Sequence, residues 1–263
     1  MRYGWTATNV LDIWNKPRYN SERVNQLLFT DPVRVIKQDS GYLFIEKDDG
    51  YQGWVDKRFI SFFPKKEYLT SLDSRTAIVI THHTKTDSKV LQSTVSPYLL
   101  YYGTKLAVAF VEKNHAFVTL PDKTRISLKL SDIKPIIDKK QVTGLQLINE
   151  AKKLIGVPYL WGGISSTGLD CSGFVQTVCS CFGLKISRDT NTQIKEGLEV
   201  DSETIKCGDL LFFKRHVGFA LGDGNMIHSS IGSNGVKIES LVKGNKDYRK
   251  DLALNLKSVR RII

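Results

Sequence analysis

The side chain best suited to nucleophilic chemistry is that of Cys171, which lies between an aspartate and a serine. Small and polar residues precede it at 162–168, and an apolar stretch at 174–179 predicts a buried helix that begins near the cysteine. A thiol at a helix N-terminus lies against unpaired N–H groups and the positive end of the helix dipole, which favours the thiolate. With a histidine in reach, such a thiolate is an activated nucleophile. An isolated cysteine more often packs as a small buried side chain, so other residues must decide.

Two histidines follow the cysteine: His216 precedes one predicted strand, and His228 lies in the next. A general base must reach the thiol and be oriented by a second polar group, and two histidines on adjacent strands can do both. If the hairpin loop is 223–225, residue 216 lies opposite residue 232, about 13 Å from His228 at roughly 3.4 Å per residue. That separation is too long for a hydrogen bond, so the pair requires a bulge or a strong twist. The glycines that could provide it are Gly218, Gly222 and Gly232. From the residues alone, each histidine is equally consistent with a structural and a catalytic role.

The elements around these residues are predicted to be helices first and strands afterwards. Thr143 is suited to cap a helix that ends at Gly156, and Asp189 or Thr190 is suited to cap a second, shorter helix. Strands are predicted after them at 210–214, 217–221, 226–229, 236–239 and 259–263, with a short helix at 249–254. Helices followed by a run of strands are typical of an α+β domain.

The part of the chain before residue 140 predicts short strands separated by turns. The first set lies at 6–14, 33–37, 42–46 and 53–56, and a second set lies at 77–81, 105–110, 115–120 and 125–128. The first set, which closes on Gly53-Trp54-Val55, resembles a bacterial SH3 domain, a small all-β barrel; the second resembles it more loosely. We therefore predict SH3-like domains at 1–64 and 76–138, a linker at 65–75, and a catalytic domain at 139–263.

Composition limits the classes of function and partner. The net charge of +11 is spread over both halves of the chain, which fits a solvated surface or an anionic polymer such as cell-wall material, and we expect no nucleic-acid partner. Four cysteines without a CxxC pair indicate neither a disulfide scaffold nor a zinc site, and His82 and His83 are expected to be surface residues. We predict no cofactor, no metal and no membrane span, and we expect a monomer. Because no signal peptide is visible, we expect a cytoplasmic protein, or a secreted one if its leader is missing from this sequence.

Four motifs in the second half of the chain agree, in order and spacing, with one enzyme family. They are residues 159–163 (YLWGG), 170–175 (DCSGFV), 208–213 (GDLLFF) and 216–218 (HVG) followed by His228. Over about residues 143–263 the chain resembles the NlpC-type cell-wall cysteine peptidases. The resemblance implies a papain-like α+β domain with Cys171 as nucleophile, His216 as base and His228 as the residue that orients the base. Such enzymes cut γ-D-glutamyl to diamino-acid bonds in the stem peptides of peptidoglycan.

The SH3-like domains ahead of the peptidase resemble a subgroup of this family, the dipeptidyl-peptidase VI type. That resemblance implies recognition of a free N-terminal L-alanine by an acidic pocket beside the cysteine and by a tyrosine of the first SH3-like domain. The residues that match these substrate contacts are Tyr51, Trp161, Asp170, Ser172, Arg188, Asp189 and Thr190. For Asp189 we expect a partly desolvated pocket that a substrate ammonium neutralises, although helix capping is an equally good interpretation. The sequence leaves two other hypotheses open, an endopeptidase that acts on polymeric wall and a non-catalytic wall-binding protein.

Overall fold

A computed structural model describes residues 2–87, 99–136 and 142–263. The chain forms two compact units, Met1–Ile136 and Ile137–Ile263. The boundary predicted between residues 138 and 139 lies outside the described residues.

The N-terminal unit begins with a seven-stranded antiparallel sheet in the order β3-β2-β6-β5-β4-β1-β7. Its strands are β1 (Arg2–Thr6), β2 (Val10–Trp14), β3 (Arg23–Leu28), β4 (Pro32–Asp39), β5 (Tyr42–Lys47), β6 (Gln52–Asp56) and β7 (Ile60–Phe63). The single strand predicted at 6–14 is wrong, because the chain leaves the sheet at residues 7–9 and returns as β2. Strand β3 was not predicted, since the polar residues Asn25 and Gln26 are buried in it and hide the alternation of a strand.

Within the described residues, the rest of this unit contains one α-helix and eight short strands. The segment predicted as a linker contains helix α1 (Lys65–Ser74), which begins after Pro64. The strands are β8 (Ala77–Val79), β9 (His83–Lys85), β10 (Leu99–Tyr101), β11 (Lys105–Leu106), β12 (Val108–Glu112), β13 (His115–Thr119), β14 (Arg125–Lys129) and β15 (Ile133–Pro135). They form small antiparallel sheets in the orders β11-β8-β15, β12-β13-β14 and β10-β9.

The two sets of strands in this unit share a hydrophobic core. Trp5 and Phe29 of the first set pack edge to face, with ring centroids 5.5 Å apart. Both rings belong to the same buried cluster as Ala77, Leu106 and Ile126 of the second set. The two SH3-like domains predicted from the sequence therefore share a core within one compact unit.

Over residues 142–263, the C-terminal unit contains four α-helices and a six-stranded sheet. The helices are α2 (Gly144–Lys152), α3 (Cys171–Ser180), α4 (Thr190–Gln193) and α5 (Lys250–Ala253). The sheet has the order β18-β23-β19-β20-β21-β22, and a separate small hairpin pairs β16 (Ile164–Ser165) with β17 (Gly168–Leu169). The sheet strands are β18 (Leu198–Val200), β19 (Leu210–Phe213), β20 (His216–Ala220), β21 (Asn225–Ser230), β22 (Gly235–Ser240) and β23 (Ser258–Arg261). The helices-then-strands order confirms the α+β prediction for this unit.

Two features of this unit follow from its sequence. Thr143 caps α2 as predicted, and the side-chain oxygen of Gln146 accepts a hydrogen bond from the N–H of Thr143 to complete a capping box. Helix α3 packs against β20 and β21, and the buried rings of Phe174 and Phe219 meet edge to face at 5.9 Å. This packing brings the start of α3, and therefore Cys171, to the sheet. Within the residues described, no helix is long and apolar enough to cross a membrane.

Candidate functional site

Cys171 is the first residue of α3, and Asp170 caps this helix by accepting a hydrogen bond of 2.7 Å from the N–H of Gly173. Gly173 has to be a glycine, because a Cβ there would lie 2.1 Å from the carbonyl oxygen of Gly163. The close approach of these two glycines holds the segment before the cysteine against the first turn of the helix. The site around Cys171 is therefore built on a rigid helix start.

The sulfur of Cys171 is buried, with 8% of the residue exposed. Sγ lies 3.9 Å from the hydroxyl of Thr190 and 3.9 Å from the carbonyl oxygen of Arg215, the residue before His216. Burial raises the pKa of the Cys171 thiol, and the charge of Asp170 adds to this effect; the Thr190 hydroxyl and the N–H groups of Val217 and Ser172 act in the opposite direction. The expectation that a helix start alone favours the thiolate is therefore wrong, since desolvation outweighs it in the unliganded chain.

His216 begins β20, and its ring is hydrogen-bonded to the next strand: Nε2 lies 2.7 Å from Nδ1 of His228 in β21. The predicted bulge is not needed, because the hairpin register differs by two residues from the one we expected. Phe219 pairs with Ile227, and the same register places Gly218 opposite His228. A Cβ on Gly218 would lie 2.7 Å from the Cβ of His228, so the glycine leaves the space through which the two rings meet.

His228 is completely buried and its second ring nitrogen is also bonded, with Nε2 2.7 Å from Oε2 of Glu239 in β22. Glu239 in turn accepts a hydrogen bond of 2.6 Å from the guanidinium of Arg249. His228 pairs with Lys237 across β21 and β22, so Glu239 is its diagonal neighbour on the same sheet face. The result is a continuous polar chain across three adjacent strands, from His216 through His228 to Glu239.

The protonation states of His216 and Glu239 are set by their surroundings. Burial lowers the pKa of His216 to about 3, and electrostatic interactions with His228 and Arg249 act in the same direction. Burial alone would raise the pKa of Glu239, but hydrogen bonds from His228, Ser233 and Arg249, together with the electrostatic interaction with His228, lower it to about 2. At neutral pH His216 is therefore an unprotonated base and Glu239 is a carboxylate. A neutral imidazole beside a thiol is the resting state that general-base catalysis requires.

Asp170, Ser172 and Arg188 form a buried network beside the nucleophile. Arg188 is 3% exposed and Asp170 6% exposed, and the two side chains form a two-pronged ion pair. The carboxylate also accepts the N–H of Gly162 at 2.9 Å, and Arg188 donates to the hydroxyl of Ser172 at 2.8 Å. This network ties the segment before Cys171, the helix start and the segment before α4 together.

The other predicted site residues differ in where the structure places them. Thr190 is half-buried and lies against Sγ, and the ring of Trp161 is 58% exposed. Asp189 lies at the N-cap position of α4 but is exposed and makes no side-chain capping bond there, so the capping bond is not formed and the pocket for an ammonium group stays a prediction. Tyr51 lies in the N-terminal unit, where its hydroxyl donates to the carbonyl oxygen of Val24 at 3.2 Å.

Sequence reasoning missed Tyr159 and Glu239. Burial raises the pKa of Tyr159 to about 12, and electrostatic interactions with Cys171 and Asp170 add to the shift, so this phenol stays a hydrogen-bond donor near the sulfur. Tyr159 belongs to the YLWGG motif, but nothing in its spacing indicated that it interacts with Cys171 and Asp170. Glu239 gave no signal, because its role depends on the register of β22 against His228. Within the described part of the chain, no cluster of three or more His, Cys, Asp or Glu side chains is placed to hold a metal ion.

Comparison with known proteins agrees with this geometry. Residues 156–253 match the NlpC/P60 family, and residues 13–58 match the bacterial dipeptidyl-peptidase SH3 domain. A γ-D-glutamyl-L-lysine dipeptidyl-peptidase of Bacillus cereus is 27% identical over 89% of this chain and 78% of its own length. Dipeptidyl-peptidase 6 of Lysinibacillus sphaericus is 26% identical over 94% of this chain and 95% of its own length.

Among solved structures, an NlpC/P60 family protein of Bacillus cereus superposes with a TM-score of 0.85. It is 22% identical and the match covers 99% of both chains, so it confirms the fold, including the small β domains at the N-terminus.

Among sequence relatives that match over a shorter region, a γ-D-glutamyl-L-lysine dipeptidyl-peptidase of Bacillus subtilis is 38% identical, covering 48% of this chain and 44% of its own length.

Proposed function

We propose that this NlpC/P60 cysteine peptidase hydrolyses the bond between γ-D-glutamate and the diamino acid of peptidoglycan stem peptides, releasing L-Ala-γ-D-Glu from free peptides. The peptidase class and the SH3 domain that we predicted from the sequence are confirmed by the two family matches. The identity of the substrate is our own proposal. It is supported by the two relatives that cover most of this chain, a γ-D-glutamyl-L-lysine dipeptidyl-peptidase and dipeptidyl-peptidase 6.

One observation carries the chemistry: the sulfur of Cys171, at the start of α3, lies against the two chain neighbours of His216, whose ring is held by His228. A nucleophile, a base and a group that orients the base are the three parts of a thiol peptidase. His216 is neutral at working pH because burial lowers its pKa to about 3. It is therefore able to accept the thiol proton as the bond to carbon forms.

The reaction then proceeds in two steps. His216 takes the proton of the Cys171 thiol while Sγ attacks the γ-carbonyl carbon of D-glutamate, and the same proton passes to the amine of the leaving diamino acid. The product of this step is a thioester between Cys171 and the γ-glutamyl group. Water then attacks the thioester carbon, His216 takes a proton from that water, and the thiol is restored as L-Ala-γ-D-Glu leaves.

Two donors are available for the negative charge that develops on the carbonyl oxygen. The backbone N–H of Cys171 lies in the first turn of α3, where helix N–H groups are directed outward. The hydroxyl of Tyr159 keeps its proton because its pKa is raised to about 12. Donors of this kind stabilise the transition state more than the substrate, which is what accelerates the reaction.

Selection of a free N-terminal amine requires a negative charge near the nucleophile. Asp170 is the buried acid beside Cys171, and its charge acts on both Cys171 and Tyr159. Asp189 is exposed, so solvent screens its interaction with an ammonium group. Asp170 therefore has the better-supported role in amine recognition, even though it already pairs with Arg188.

The decisive experiment compares two stem peptides that differ only at the amine, L-Ala-γ-D-Glu-L-Lys-D-Ala and its N-acetyl derivative. A dipeptidyl-peptidase cuts the free peptide with a kcat/KM far above that of the acetylated one. Asp189→Asn should change this preference by no more than about five-fold, since exposed ion pairs contribute roughly 1 kcal/mol or less. Equal cleavage of both peptides by the wild-type chain would establish the alternative, an endopeptidase that acts on polymeric wall.

Trimming of free peptides is consistent with the cytoplasmic location expected from the sequence. We therefore also propose that the protein is cytoplasmic. Fractionation of cells that produce the full-length chain, followed by immunoblotting, tests it. Recovery of the chain mainly from the culture medium or the wall fraction would contradict a role in peptide recycling.

A further inference from the structure

The polar chain from His216 does not stop at His228. Nε2 of His228 lies 2.7 Å from Oε2 of Glu239, and both residues are buried. An ionised carboxylate accepts hydrogen bonds and cannot donate one, so the proton in this contact belongs to His228. The burial of the pair excludes water as an alternative partner for either group.

The hydrogen on Nε2 of His228 determines which ring nitrogen of His216 carries its hydrogen. With Nε2 of His228 protonated, the neutral ring has its lone pair on Nδ1, which faces Nε2 of His216 at 2.7 Å. His216 must then donate through Nε2. Its own lone pair is left on Nδ1, the nitrogen that takes the thiol proton. One carboxylate thus determines which nitrogen of the base is free to act.

We infer that Glu239 is a positioning residue for the peptidase reaction, and that it sets the tautomers of His228 and His216 so that the base presents Nδ1 to Cys171. The effect of Glu239 on catalysis rests on the proposed function, but the assignment of the tautomers of His216 and His228 does not. When His216 takes the proton of the thiol, Nδ1 gains a hydrogen and Nε2 keeps the one it donates to His228. The proton does not continue to Glu239.

The surroundings of Glu239 keep it in the required state. Arg249 donates to its Oε2 at 2.6 Å, and Ser233, which also receives a hydrogen bond from Arg249, donates to it. Arg249 is held in turn by Asp251, at 2.8 Å and 2.9 Å. The charged and titratable groups around the pair formed by His228 and Glu239 are therefore His216, Arg249 and Asp251, together with Lys237, which lies opposite His228 in β22.

The test is a direct measurement of the tautomers in the full chain. Protein labelled with ¹⁵N-histidine is examined by long-range ¹H–¹⁵N correlation at pH 7.5, which distinguishes a protonated nitrogen from one with a lone pair. The chain has five histidines, and His216→Gln and His228→Gln assign the two of interest. We expect both rings to carry their hydrogen on Nε2. No substrate is needed, so this result is independent of whether the proposed reaction is correct.

Glu239→Gln tests the cause. An amide can donate as well as accept, so His228 and His216 should both populate the opposite tautomer, with hydrogen on Nδ1. In serine peptidases, loss of the corresponding carboxylate leaves the geometry intact and lowers kcat by about 10⁴-fold through the wrong tautomer. Here we expect kcat on the stem peptide to fall by about 100-fold or more, with KM within about three-fold of wild type.

Glu199→Gln is the matched control, because Glu199 lies in the same sheet and pairs with Arg260 at 3.5 Å but is 73% exposed. It should change neither the tautomers nor kcat. Hydrogen on Nδ1 of His216 in the wild-type chain would overturn the inference. Unchanged tautomers and kcat in Glu239→Gln would overturn it too. If Glu239→Gln fails to fold, the wild-type spectrum alone decides.

Discussion

Nε2 of His216 lies 2.7 Å from Nδ1 of His228, and the two rings meet because the residue between them in the sheet has no side chain. Gly218 lies opposite His228 in the register of β20 and β21 and on the same face as His216. The contact between the two histidine rings therefore depends on the missing side chain at Gly218 as much as on the rings themselves.

Gly218→Ala should disturb that geometry. The added Cβ would lie 2.5 Å from Met226 and 2.7 Å from His228, so the strands must shift at a cost of roughly 1–3 kcal/mol. Because His228 is displaced, we expect kcat/KM to fall by about 100-fold. Urea unfolding and steady-state assays measure the two effects. Gly232→Ala is the control, since its Cβ would meet nothing closer than 3.7 Å. A fully active Gly218→Ala would show that the space is not required.

Replacing the two histidines should have unequal effects. His216→Ala removes the base and should abolish nearly all turnover. His228→Gln keeps an amide that can still accept the proton of His216, so we expect part of the turnover to remain. The comparison needs kcat and its pH dependence for both variants. If His228→Gln behaves as wild type in both quantities, His228 has no orienting role.

Stability should decrease with falling pH because of two buried groups. His216 titrates near 6.5 when unfolded and near 3 when folded, so between these values the unfolded chain binds a proton that the folded chain does not. Glu239 has a folded pKa of about 2 against 4.5, so its stabilising contribution is present above pH 4.5 and is lost as the pH falls towards 2. Both effects lower the free energy of unfolding in acid.

The two groups are separable between pH 7 and pH 5, where only His216 contributes. In His216→Gln we expect the fall in the free energy of unfolding over this interval to be smaller than in wild type by about 1–2 kcal/mol, a value reduced for the partial exposure of the ring. Urea denaturation at both pH values measures it. An identical fall in the two proteins would show that His216 is not buried in its neutral form.

The ion pair between Arg188 and Asp170 should be costly to break from one side. Arg188→Met leaves a buried carboxylate without its cation, and we expect a loss of about 3–5 kcal/mol in the free energy of unfolding. Asp170→Asn combined with Arg188→Met should recover part of that loss, because no unpaired charge remains. A double-mutant cycle by denaturant unfolding measures the coupling. Purely additive losses would contradict the pairing.

The sequence was sufficient to predict the local features of the site. The cap at Thr143, the helix that begins at Cys171 and the positions of strands β19 to β23 all follow from residue types and periodicity. The family match confirms the peptidase class that four short motifs had indicated.

What the sequence could not provide was register and long-range partnership. The predicted hairpin loop put His216 about 13 Å from His228, because a shift of two residues changes no alternation pattern that a sequence displays. The partners of Asp170 and His228 lie 18 and 11 residues away, and only the folded sheet and the start of α3 bring them together. The shared core of the N-terminal unit escaped prediction for the same reason, since Trp5 and Phe29 gave no sign of which strands they would contact.

The most direct test of the account is the identity of the bond that is cut. Incubation of L-Ala-γ-D-Glu-L-Lys-D-Ala with the wild-type chain, followed by mass spectrometry, should yield L-Ala-γ-D-Glu and L-Lys-D-Ala. Cys171→Ala, purified in parallel and shown to be folded, should yield neither. Cleavage at another bond, or equal turnover by wild type and Cys171→Ala, would contradict a Cys171-dependent γ-D-glutamyl peptidase.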